Sequence, residues 1–135
     1  MVNMKIVYEG QLHCHLTHEP SGAVINTDAP KDNMGRGEAF SPTDLVAAAL
    51  GSCMLTVMGI AAARHNIDIK GTTVSVSKEM VASPTRRIGS ISVTLHMAPG
   101  IPLDKRTMLE SAAHSCPVHK SLHPDVQTPI QFIYP

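Results

Sequence analysis

The sequence predicts an α+β fold in which short antiparallel strands surround one long apolar helix. Three observations carry this reading. Two runs, Ile69 to Val81 and Ile88 to Met97, alternate apolar with polar residues; Leu45 to Ala63 contains no charge and follows a helix-start signal; and the segment from Met4 to Asn26 holds short strand-like runs punctuated by glycine and proline.

Taken in order, Lys5 to Tyr8, Gln11 to Thr17 and Ala23 to Ile25 have strand character, with Gly10 and Pro20-Ser-Gly22 between them, and predict an antiparallel meander. From Thr27 to Phe40 the composition shifts to Asp, Pro, Lys, Asn and Gly, which suits turns and predicts a loop. Ser41-Pro42-Thr43-Asp44 starts a helix: Ser41 can cap it, Pro42 has its backbone angle already set for the first turn, and Asp44 can reach back to the cap. That helix should run to about His65 and stop near Asn66. In the second alternating run Ile91, Val93, Leu95 and Met97 share one face, and Ser83 to Arg87 forms the hairpin turn before it. Leu103 to Ser115 has helical spacing; Pro117 opens a further short helix with Cys116 as its cap, and Ile130 to Ile133 reads as a last strand.

The chain has 135 residues, with 11 basic and 11 acidic side chains and eight histidines, a size that predicts a single domain over 1–135. Its only aromatic residues besides histidine are Tyr8, Phe40, Phe132 and Tyr134, so the core must be built from Ala, Val, Ile, Leu and Met. No basic face and no aromatic platform is available, and nucleic acid is not expected as a partner. Cys14, Cys53 and Cys116 are an odd number at wide spacing, without a leader-like segment, which points to a reducing cytoplasm. The Leu45 to Ala63 stretch approaches a membrane-spanning length, but it is rich in Ala and Gly, and its flanks read as strands of a soluble domain. No membrane association is expected. A helix apolar all round is instead buried, and in so short a chain complete burial calls for a second subunit.

Two cysteines draw attention. Cys53 lies mid-helix among apolar residues, where most free thiols are inert small hydrophobes. Desolvation disfavours a thiolate, so a reactive Cys53 needs a cation nearby; Arg36, in the glycine-flanked loop before the helix, and Arg64, at its far end, are the candidates. Cys116, at a helix cap, would face unpaired N–H groups that favour its thiolate; alternatively it is simply a capping residue.

Phe40-Ser-Pro-Thr-Asp-Leu-Val-Ala-Ala-Ala-Leu-Gly-Ser-Cys53 resembles the helix motif of the OsmC/Ohr family, and Cys116-Pro-Val-His-Lys-Ser-Leu122 resembles its second motif. The order of elements is similar across nearly the whole chain. The resemblance implies an OsmC-like fold assembled as an intertwined homodimer, with the long helices buried at its centre. It also implies that Cys53 attacks a hydroperoxide O–O bond and becomes a sulfenic acid, that Cys116 resolves it as a disulfide, and that an external dithiol, a protein-bound lipoyl group in one branch, reduces the disulfide. Arg36 is the best match to the family arginine that supports the thiolate. The sequence departs from the peroxidase pattern at Thr43, where those branches carry Glu ten residues before the helix cysteine. Asp44 is adjacent, but nine residues is roughly two and a half helical turns, which sets it on about the opposite face from Cys53. Thr43 and Asp44 therefore stand as supporting candidates beside Cys53, Cys116 and Arg36.

The expected function is thiol-dependent reduction of organic hydroperoxides, with no metal and no bound organic cofactor. One alternative keeps the fold and makes the dimer a binder of a small apolar ligand, with Cys53 as inert lining. Another is a metal site among His114, Cys116, His119 and His123, or at His13 and His15, although the spacing fits no closed zinc pattern. Cys14 lies outside both motifs and should be dispensable.

Overall fold

The computed structural model describes all residues, 1–135, and they divide into two compact units, Met1–Val46 and Ala47–Pro135. In the first, β1 (Met4–Tyr8), β2 (His13–His18) and β3 (Val24–Asp28) form an antiparallel sheet in that order, the expected meander. Its register sets Tyr8 opposite Cys14, and Leu16 opposite both Ile6 and Ile25. With the two-residue period of a strand, Met4, Ile6, Tyr8, Cys14, Leu16 and Ile25 share one face, while His13, His15 and Asp28 share the other. The third strand runs further than its sequence suggests. Thr27 and Asp28 pair with Cys14 and His13 and are almost inaccessible, so the loop begins at Ala29 rather than Thr27.

That loop folds back on its own start through a 3-10 turn at Lys31–Asn33. The Gly35 N–H donates to the Pro30 carbonyl (2.9 Å), the Gly37 N–H to the Ala29 carbonyl (3.2 Å), and the Asp28 N–H to the Phe40 carbonyl (3.2 Å). A Cβ at Gly35 would stand 1.8 Å from the Ala29 carbonyl oxygen, so only glycine fits there. Ser41 then caps α1 (Pro42–Arg64): the Asp44 N–H donates to Ser41 Oγ and the Ser41 N–H to Asp44 Oδ2, each at 3.0 Å. This is the reciprocal capping box expected from the sequence. The helix ends as expected too, with Asn66 in the left-handed region.

In the second unit β4 (Thr73–Val81) and β5 (Arg87–His96) pair antiparallel, and β6 (Ile130–Ile133) adds to β5 in parallel. The parallel pairing departs from the all-antiparallel expectation, because alternation reports which face a side chain occupies and says nothing of strand direction. Between β5 and β6 run α2 (Arg106–His114) and α3 (Pro117–Ser121), supplying the crossover that a parallel pair requires. Smaller differences have local causes. The first strand of this sheet starts at Thr73 rather than Ile69, since the Thr72 N–H donates back to the Ile69 carbonyl (3.0 Å) around Gly71. Arg87 already pairs with Val81, and a 3-10 turn at Leu103–Lys105 delays α2 to Arg106.

The core of this unit joins Ile91, Val93 and Leu95 of β5, Leu109 and Ala113 of α2, and a stripe of α1. The stripe, Ala47, Leu50, Met54, Met58 and Ala62, recurs at three- and four-residue intervals, as one face of a helix must. A Cβ on Gly51 would approach Val76 Cγ2 to 2.8 Å, so the absence of a side chain lets the helix lie against β4. Although α1 is apolar all round, the chain itself covers only this stripe; Val46 and Ile60 stay exposed. The complete burial read from composition is thus not achieved within one chain. By length and composition α1 could cross a bilayer, but its stripe is committed to the protein's own core.

Leu50 is fully buried at the centre of this packing. Leu50→Ala is expected to lower stability by about 2–5 kcal/mol, the usual range for such a deletion with its residual cavity. Urea denaturation followed by circular dichroism measures it, and an unchanged midpoint would show that α1 does not organise the core.

Candidate active site

Cys53 is carried by α1 just before the buried Met54, and it is half-buried against the core cluster that includes Cys116. Cys116 has no exposed surface. It sits at the turn between α2 and α3, where Pro117 occupies the first helical position and the His119 N–H donates to Cys116 Sγ at 3.3 Å. Both thiols are free, and Cys53 is among the groups that act on Cys116. The sequence reading that a cap position would favour a Cys116 thiolate is reversed here. Burial pushes this thiol up, and the neighbouring Cys53 adds to the rise; together they outweigh the His119 and Val118 amides, which act the other way.

The surrounding histidines have structural partners. His119 Nδ1 lies 3.2 Å from the His114 carbonyl, which can only accept, so this nitrogen carries the proton; Nε2 then accepts from the Thr128 hydroxyl at 2.9 Å. The His114 ring packs against Phe132 at 5.9 Å, and His123 Nδ1 faces Asp125 at 3.7 Å. No three His, Cys, Asp or Glu side chains converge as metal ligands would.

The remaining candidates belong to the first unit. Arg36 pairs with Asp28 Oδ1 at 3.9 Å, Thr43 Oγ1 lies 3.2 Å from Ser41 Oγ, and Asp44 is held in the capping box. Cys14 is half-buried in β2, opposite Tyr8 and Thr27. One pair escaped the sequence reading: His13 Nδ1 donates to the buried Asp28 Oδ1 at 2.6 Å. The strand position of His13 was legible, but Asp28 was assigned to a loop, and only the register reveals the two as cross-strand neighbours.

A family profile for OsmC-like proteins matches residues 35–131. The chain belongs to the OsmC-like family. A crystal structure from Psychrobacter arcticus, provisionally described as an osmotic stress induced and detoxification response protein, is 42% identical, with 98% of this chain and 96% of that one covered and a TM-score of 0.92. An organic hydroperoxide resistance protein OsmC from Legionella pneumophila shares 18% identity at a TM-score of 0.79, covering 98% and 96% of the two chains. An organic hydroperoxide resistance protein from Elizabethkingia anophelis, with crystallant-derived thiocyanate bound, shares 15% at a TM-score of 0.79, covering 100% and 96%. At such low identities the last two establish a common fold. No match is found among curated proteins.

In this OsmC-like chain the raised Cys116 thiol has a direct pH consequence. Its native proton is held more tightly than in the unfolded chain, so its contribution to stability is present below the ordinary thiol value of 9.0 and is lost as pH rises through the higher native one. The 13Cβ resonance of Cys116 should keep its thiol position up to pH 9.0 in the reduced protein. A titration step near neutral pH would contradict this assignment.

Proposed function

We propose that this OsmC-like protein reduces organic hydroperoxides with Cys53 and Cys116 as its redox pair. The observation carrying the reading is the pair of free thiols at one core cluster, Cys53 half-buried against it and Cys116 wholly enclosed within it. The hydroperoxide resistance proteins that share the fold support the same chemistry here.

The accessible thiol attacks first. The Cys53 thiolate takes the terminal peroxide oxygen; the O–O bond breaks, the alkoxide leaves as the alcohol after gaining a proton, and Cys53 becomes a sulfenic acid. Cys116 sulfur then attacks Cys53 sulfur, the S–O bond breaks, and the hydroxyl departs as water with the Cys116 proton. A neutral Cys116 thiol suits this second step because the proton it retains is the one the departing hydroxyl needs. An external dithiol of the lipoyl class reduces the disulfide by two exchanges, restoring both thiols and closing its own disulfide. The cycle needs no metal and no bound organic cofactor. By the family resemblance alone Arg36 is the candidate cation for the Cys53 thiolate, while Thr43 and Asp44 secure the start of the helix that carries it.

Apolar surroundings at Cys53 favour an organic over an inorganic peroxide, since an apolar substituent is desolvated there at less cost. Free thiols fit a reducing, cytoplasmic setting. Exposed Val46 and Ile60 on α1, and Ile6, Tyr8 and Ile25 on one sheet face, are surfaces that a second copy would cover in a homodimer. Sedimentation equilibrium should give twice the chain mass, and a monomer at micromolar concentration would remove that part of the reading.

The chemical test mixes reduced protein with cumene hydroperoxide or hydrogen peroxide, then counts thiols and maps disulfides by mass spectrometry. Rapid loss of two thiols with the organic peroxide, a Cys53–Cys116 disulfide and complete loss of reactivity in Cys53→Ser are expected. Intact thiols after long exposure would leave a binding protein on this fold.

A further inference from the structure

Helix α3 spans only Pro117–Ser121, and none of its residues is buried. A helix this short does not keep its shape in water by its own hydrogen bonds, so contacts outside it must fix the turn. Val118 and Leu122 pack, partly buried, against the core cluster. Apolar contact of that kind is non-directional and leaves the orientation of the turn unset. The directional contacts come from His119.

This residue bonds to three different parts of the second unit. Its Nδ1–H donates to the His114 carbonyl (3.2 Å) at the end of α2, its Nε2 accepts from the Thr128 hydroxyl (2.9 Å) in the segment leading to β6, and its main-chain N–H donates to Cys116 Sγ (3.3 Å). The Thr128 end is anchored, because the residues on either side of it are tied to β5. The Gln127 N–H donates to the Gly89 carbonyl (2.9 Å), the Ile91 N–H to the Gln127 carbonyl (2.8 Å) and the Val93 N–H to the Pro129 carbonyl (2.9 Å). At the other end the His114 ring packs on Phe132 of β6 at 5.9 Å.

The bond from the His119 amide selects one of the staggered positions open to the Cys116 side chain. Resolution of a sulfenic acid depends on that choice. The S–S bond forms as the Cys53 S–O bond breaks, the Cys116 proton leaves in the water, and the incoming sulfur must stand in line with the bond it displaces.

The geometry points to His119 as the positioning residue for Cys116: its ring staples α3 to the end of α2 and to the segment before β6, and the amide of the same residue, so fixed, aims Sγ for disulfide closure. The assignment rests on the Cys53–Cys116 pairing of the thiol-peroxidase reading and adds to it the side chain that sets the second step. The imidazole acts through the main chain of α3 rather than on either sulfur.

The test compares H119A, T128V, T128S and the H119A/T128V double variant in the reduced full chain. In one arm cumene hydroperoxide is added with dimedone, and mass spectrometry gives the ratio of dimedone-trapped Cys53 sulfenic acid to Cys53–Cys116 disulfide. In the other, diamide drives the same closure without a peroxide, and the phase independent of diamide concentration is timed. H119A is expected to slow closure and raise the trapped fraction about tenfold and T128V about fivefold, the scale of one or two lost hydrogen bonds. The rate of Cys53 sulfenic acid formation should stay at its wild-type value, which a general loss of structure would not allow. T128S, which keeps the hydroxyl, should close at the wild-type rate, and T128V should add nothing once H119A is present, the non-additivity of residues acting as one unit. Wild-type closure in H119A and T128V, or a loss in T128S equal to that in T128V, would overturn the proposal; should H119A not fold, the Thr128 pair decides alone. If peroxide leaves wild-type Cys53 unoxidised while diamide closes the disulfide, the peroxidase reading fails and the diamide arm still decides the role of His119. If diamide closes no Cys53–Cys116 disulfide in the wild type, both fall.

Discussion

Where α1 meets β4, the backbone of Gly51 faces Val76 and Val74 with nothing between them, and much of the second unit follows from that close approach. Because the helix lies so near the sheet, Leu50, Met54 and Met58 are submerged among Ile91, Val93 and Leu95, and the helix can neither rotate nor slide without breaking that fit. Cys53, between Leu50 and Met54 in sequence, is thereby held at the margin of the core. Cys116 arrives from the opposite end of the unit, at a turn anchored by Ala113 in the same core. Two thiols on different elements are kept together by packing that involves no sulfur chemistry at all.

The consequence for reactivity is an asymmetry between chemically identical groups. Cys53 retains some access to solvent while Cys116 has none, and burial outweighs the amides that would otherwise favour ionisation of the capping sulfur. Two like thiols sharing one small space cannot both become anions readily. In the proposed cycle one attacks and one waits, a division of labour that exposure and mutual repulsion support.

Much of this was legible in the sequence. Ser41, Pro42 and Asp44 announced the helix start because capping is a local matter of side-chain reach, and Pro117 did the same for α3 with Cys116 at its cap. The alternation in β5 reported its buried face correctly. What was hidden depended on register and on solvation. The pairing of Asp28 with His13 joins residues that only a sheet brings together, and Asp is a poor strand former, so its place in β3 had no local signal. The protonation of Cys116 turned on burial by residues distant in the chain, which a cap motif does not encode. The parallel direction of β6 was likewise invisible, since four alternating residues read the same in either direction.

The order of strands also bears on how the molecule comes into being. One edge of β5 is met by its hairpin neighbour, but the other stays open until Ile130–Ile133 have left the ribosome, more than thirty residues later. During that interval a nascent chain presents unpaired backbone donors and acceptors beside Ile91, Val93 and Leu95, the type of edge on which chains join one another. Non-local pairing of this kind slows folding, since the loop must close before the contact rewards it. The chain would thus be most vulnerable to misassembly while it is being made, before its last strand seals the sheet.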